Sequence, residues 1–177
     1  MTTDTTPELP AAPGSVPFIH SVDTAPAYWW LDILWIILAT GDDTGGRYSL
    51  MEEWLPRGAG APPHKHTWSD EHFYILDGEV TFLVGEEIKT GVKGDFVFVP
   101  RNTRHAFRVD SNKAAFLNGY TPAGLELGVA EMALPAPSRT VPPEGATPTP
   151  DMSDEQYRRY GMDNLPGPNP LAPDGHP

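Results

Sequence analysis

Gly58-Ala59-Gly60-Ala61-Pro62-Pro63-His64-Lys65-His66-Thr67-Trp68-Ser69-Asp70-Glu71, with Gly78 after it, is the most informative stretch of this chain. A second stretch, Gly94-Asp95-Phe96-Val97-Phe98-Val99-Pro100-Arg101-Asn102-Thr103-Arg104-His105, completes it. Successive side chains on a strand point to opposite faces, so His64 and His66 share one face. Two imidazoles placed in this way can approach one cation from adjacent corners. Glu71 has the opposite parity, and a strand running straight on from His66 would turn it away. Thr67-Trp68-Ser69-Asp70 offers the necessary break, because Ser and Asp bond back to the backbone in turns. Glu71 then opens a new strand over 71–76, and Asp77-Gly78 reads as a hairpin closing it against 79–84.

An isolated His-x-His pair is usually surface chemistry; the spacing as a whole says more. It resembles the two motifs of the cupin family. The first is Gly, five residues, His-x-His, four residues, Glu, six residues, Gly, and it is filled from Gly58 to Gly78. The second is matched at Gly94, Pro100 and His105, with Asn102 in place of a Gly and Val109 in place of an Asn. Asn tolerates the left-handed backbone better than most residues, so Asn102 is a mild departure. The resemblance implies a jelly-roll β-barrel, commonly dimeric, with His64, His66, Glu71 and His105 as ligands of one divalent transition metal. Three nitrogens and one carboxylate suit nickel, iron, manganese, cobalt or zinc alike.

Composition narrows the class. At 177 residues the chain is about one domain and can bury a single core. Its formal net charge of -12 argues against nucleic acid or an anionic membrane as partner. Cysteine is absent, which excludes disulfides, iron–sulfur clusters and thiol nucleophiles. The first twenty residues lack a secretory pattern, and the apolar run over 29–38 is interrupted by Asp32 and too short to span a bilayer. The expectation is a cytoplasmic protein.

The chain divides into three parts. Residues 1–17 are rich in Thr, Pro and Ala and are expected to be disordered. Residues 18–134 read as an all-β barrel. Strands are expected over 30–38, 48–55, 79–84, 88–90, 96–99, 105–109, 114–120 and 125–132, with turns at 41–46 and 85–87. Residues 135–177 form a Pro-rich extension carrying a short helix over about 153–161, with Ser153 as N-cap, Gln156 in the capping-box position and Gly161 as C-cap. That helix covers a barrel edge or walls a cavity.

Residues 35–46 and the stretch from Tyr160-Gly161 to Gly167-Pro168 narrow the resemblance to single-domain quercetinase-like cupins. It extends over roughly residues 27–172. The activity this implies is oxygenolytic cleavage of a flavonol ring with release of carbon monoxide, the partners being an aromatic small molecule and O₂. Glu71, the carboxylate among the ligands, is the candidate general base, provided its pKa is tuned towards the working pH. Phe73 and Ile75 share parity with Glu71, and Phe107 with His105. With Tyr48 and Trp54 they are the candidate substrate-binding walls. Trp68 is a candidate shield for the cavity mouth, and Arg101 or Arg104 could orient an acidic group. Two other classes stand behind the dioxygenase: a non-oxidative isomerase, cyclase or decarboxylase, and a binding cupin without turnover.

Overall fold

A computed structural model describes residues 16–143, 146 and 151–172. The expected disorder over 1–17 falls mostly outside them. In chain order the elements are β1 (Ala27–Trp30), β2 (Ile33–Ala39), α1 (Gly41–Thr44), β3 (Ser49–Pro56), β4 (Gly60–His66), β5 (Asp70–Asp77), β6 (Glu79–Val84) and β7 (Glu87–Val92). Then come β8 (Phe96–Val99), β9 (His105–Val109), β10 (Lys113–Thr121), α2 (Leu125–Met132), β11 (Leu134–Pro135), α3 (Asp154–Arg159) and β12 (Met162–Asn164). The strands form two antiparallel sheets: a 7-stranded sheet in the order β11-β1-β2-β3-β10-β5-β8, and a 5-stranded sheet in the order β12-β4-β9-β6-β7. This is the all-β, two-sheet jelly-roll expected from the sequence.

Alternation along β3 shows how the sheets close on a core. Ser49, Met51, Glu53 and Leu55 are buried, while Leu50, Glu52, Trp54 and Pro56 are only partly so. Inward residues of both sheets meet in an aromatic cluster. Phe73 of β5 lies 5.2 Å from Phe116 of β10, and across the barrel 5.2 Å from Phe82 of β6 and 5.7 Å from Phe107 of β9. The edge-on approach of Phe73 to Phe116 and of Phe107 to Phe116 is the arrangement that ring quadrupoles favour.

Four expectations are corrected. Asp77-Gly78 does not form a hairpin: β5 pairs with β10 and β8, whereas β6 pairs with β7 and β9. Gly78, at φ 83, is instead the corner where the chain crosses between sheets. A Cβ there would lie 2.4 Å from the Lys113 carbonyl oxygen, so glycine is required by space as well as by conformation.

The run over 30–38 is two strands. Leu31 and Asp32, both at positive φ, form a tight turn that folds β1 onto β2, with Trp30 opposite Ile33. A leucine in that conformation carries no sequence signal. The turn at 41–46 contains a helical turn, α1, with Thr40 and Asp43 as a capping box and Gly45 in the left-handed conformation.

Residues 125–132 are helix rather than strand. Leu125, Glu126, Gly128 and Val129 face inward with helical spacing, and Glu126 accepts from the backbone N–H groups of Gly41 and Gly124. The alternation Leu-Glu-Leu imitated a strand over too few residues to expose the longer period. Among the described residues, no helix is long and apolar enough to cross a membrane.

Candidate metal centre

His64 and His66 lie on β4 and His105 on β9, with His64 and His105 directly opposite each other in the 5-stranded sheet. Glu71 comes from β5 in the other sheet, so the four side chains join the two halves of the barrel. Thr67 to Ser69 separate β4 from β5 and restore the parity of Glu71. Pro62 and Pro63 cannot donate to the ladder, and a register shift accompanies them between Ala61 and His64. That irregularity aims the Pro62 carbonyl at the His64 ring, 2.8 Å from Nδ1. The Thr103 carbonyl likewise lies 2.9 Å from His105 Nδ1. These contacts leave the Nε2 atoms of both rings for another partner.

One potential ligand atom from each of the four residues lies within 4.8 Å of the others, and all four residues are buried. His66 Nε2, His105 Nε2 and Glu71 Oε2 are out of contact with solvent and have no hydrogen-bond partner. His105 Nε2 approaches Glu71 Oε2 to 2.7 Å as a charge contact. Buried polar atoms left unpaired are costly, and a cation shared among them resolves the cost. The donor set therefore fits a divalent transition metal.

Electrostatics agree. Burial, with neighbouring His105 and His66, holds His64 well below the usual imidazole range and favours the neutral, ligating form. Burial alone would raise Glu71, but the imidazoles of His66 and His105 outweigh it and keep the carboxyl well below its ordinary value. Glu71 is thus held ionised, the form that ligates a cation, without the upward tuning that the general-base role was expected to need. Burial disfavours charge on His105 too, yet the adjacent carboxylate wins and raises it.

Two residues not anticipated from the sequence fix Glu71. Tyr120, its cross-strand neighbour on β10, donates from its hydroxyl to Oε1 at 2.6 Å, and Asn118 Nδ2 donates to the same oxygen at 3.0 Å. Oε2 is left facing the histidines. Partners of this kind orient a ligand and tune its basicity; their loss typically lowers metal affinity or activity by about 10–100-fold. Tyr120→Phe is expected to weaken metal binding by that order with the melting curve little changed, as read by competition with a chromophoric chelator. Unaltered affinity would show that Tyr120 does not position Glu71.

His64, His66 and Glu71 border a cavity of about 280 Å³, just below the common range for ligand sites. Phe73 and Phe107 line it, joined by Ile33 and Trp35. Ile75 is fully buried in the core and does not line it. Tyr48 and Trp54 are corrected outright. Tyr48 precedes β3 and is exposed, and Trp54 has outward parity, donates to Glu52 and lies beneath the Lys113 ammonium. Trp68 packs against Gly161 and is half exposed, outside the cavity lining. Arg101 is held by a two-point ion pair with Asp70 and belongs to the scaffold. Asn102 adopts φ 65, as its place in the motif requires, and its N–H donates to the His66 carbonyl.

The C-terminal extension contributes directly. β12 pairs with the ligand strand β4, placing Met162 opposite His66 and Asn164 opposite His64. Asp151, Tyr157, Met162 and Asn164 all line the cavity, and the Tyr157 hydroxyl donates to Asp151. β12 thus covers the edge of β4, and the helix supplies one wall residue, Tyr157. Glu53 of β3 is a further lining residue that the sequence reading passed over. Burial, and then the charge of Glu71, hold its carboxyl well above the ordinary range.

A family model for the cupin domain matches residues 51–118. Quercetin 2,3-dioxygenase of Bacillus subtilis strain 168 is 32% identical over 120 residues, which is 67% of this chain and 35% of that protein. The chain thus spans about a third of the length of this curated relative. KdgF from Halomonas sp. superposes with a TM-score of 0.56 at 18% identity, over 64% of this chain and 99% of the other. The Streptomyces nucleoside dehydratase Pac13 superposes at 0.52 with 17% identity, over 63% of this chain and 88% of that one. Both share the fold. Two facing sheets are joined by a buried His₃Glu set that could hold a metal ion, and the chain belongs to the cupin superfamily.

Proposed function

We propose that the protein is a metal-dependent, quercetinase-like dioxygenase that cleaves a flavonol or a related phenolic or enolic molecule with O₂. The observation that carries this reading is the buried cluster of unpaired ligand atoms beside a cavity that Trp30, Trp35, Phe73 and Phe107 help to line. The sequence similarity to quercetin 2,3-dioxygenase supplies the reaction class. A divalent cation held by His64, His66, Glu71 and His105 would favour the anionic form of a substrate oxygen and, if redox-active, pass electrons between substrate and O₂.

The chain's own groups do the rest. Glu71 is assigned the substrate hydroxyl proton, with its Oε1 held by Tyr120 and Asn118. Phe73, Phe107 and Trp35 pack against the ring and exclude water from the anion. The modest cavity favours the smaller members of the substrate class.

The test is oxygen uptake with quercetin after loading apo-protein separately with nickel, iron, cobalt, manganese and zinc. Uptake with a redox-active metal and none with zinc is expected. Absence of uptake under every metal would overturn the reading. It would bring forward the oxygen-independent isomerase, cyclase or decarboxylase, for which Glu53 offers a second acid–base group in the same cavity. The remaining expectations, a homodimer in the cytoplasm without nucleic-acid or membrane partners, belong to the same proposal.

A further inference from the structure

Glu53 has no part in the metal centre, yet it is among the most deeply buried polar side chains of the barrel, 1% exposed. Its Oε1 is shut off from solvent and has no hydrogen-bond partner. It sits on β3 opposite Phe116, which in turn pairs with Ile75, four residues along β5 from Glu71. One intervening strand, β10, and four residues therefore separate the two carboxyl-bearing positions on one sheet, while both line one cavity. The alternation that buries Met51 and Leu55 would accept an apolar residue between them.

A carboxyl oxygen buried there without a partner weakens the fold. Groups of this kind are retained where a ligand supplies the missing partner. We infer that Glu53 is a second substrate-binding group, which hydrogen-bonds a hydroxyl of the substrate remote from the oxygen at the metal centre. The site then selects a polyhydroxylated ring compound over one whose oxygens all cluster at the metal. This inference rests on the proposed reading that a phenolic or enolic substrate enters the cavity, and it names the substrate's second functional group.

Zinc-loaded full-length protein tests it, because zinc supports binding without redox turnover. Quercetin and 3-hydroxyflavone are the probes; both carry the keto–enol pair, and only quercetin carries remote hydroxyls. Trp30 and Trp35 line the cavity, so quenching of tryptophan fluorescence reads occupancy. Wild-type protein is expected to prefer quercetin by about tenfold, the worth of one hydrogen bond in a closed site. Glu53→Leu is expected to reduce that preference to near unity while still binding 3-hydroxyflavone, and Glu53→Gln to retain most of it. An undiminished preference in Glu53→Leu would overturn the assignment.

If neither flavonol binds the wild-type protein, the flavonol reading itself fails, and thermal melting decides the role of Glu53. A Glu53→Leu protein melting several degrees above wild type is expected of a group kept for a ligand. One melting several degrees below would show a structural role and overturn the inference.

Discussion

His66→Ala is expected to purify with almost no bound transition metal and to show no turnover, while keeping the barrel fold. Its Nε2 is one of the unpaired atoms of the cluster and lies 3.4 Å from Glu71 Oε2. If four ligands share roughly 10–16 kcal/mol of binding energy, removing one costs about 3 kcal/mol, or a hundredfold or more in affinity. Metal analysis of the purified protein, with circular dichroism as the fold control, gives the result directly. Full metal content in the variant would place the ion elsewhere.

Acid should act on the wild-type site in the same direction. His105 holds its proton above the ordinary imidazole value of 6.5 because Glu71 faces it. Protons therefore begin to compete for that ligand at a higher pH than for a free histidine, and metal affinity falls as the pH drops through this range.

Phe73→Ala is expected to be the most destabilising of the single changes considered. The ring is 1% exposed and touches Phe82, Phe107 and Phe116, so its removal opens a void between the sheets. Losses of this type run to about 3–5 kcal/mol, because the surroundings relax only in part. For a chain of this size that lowers the melting temperature by roughly 10 °C or more. Substrate binding should weaken as well, since the same ring lines the cavity. A melting point within about 2 °C of wild type would mean that the two sheets are not held together through this ring.

The parts of the site legible in the sequence were those tied to parity and fixed spacing. His-x-His on one strand face, a break, then Glu71 gave three ligands and the chain path between them. Asn102 was readable because so few residues accept its backbone conformation. Glu53 was missed for a reason of parity: walls sought at Tyr48 and Trp54 turn the even positions inward, whereas β3 buries Ser49, Met51, Glu53 and Leu55.

Asn118 and Tyr120 were harder. Their partner is Glu71 of another strand, and nothing local announces a cross-strand register. The same blindness produced the false hairpin at Asp77-Gly78, where a glycine suited to a tight turn serves a corner between sheets. β12 is three residues long and exists because β4 offers it an edge, so no periodicity could have revealed it.

The most direct measurement is anomalous diffraction from crystals of the protein grown with cobalt or nickel, with data collected on either side of the metal edge. One strong peak contacting His64, His66, Glu71 and His105 is the predicted result. A cluster without a peak, or a peak held by other residues, would contradict the assignment of these side chains to a metal.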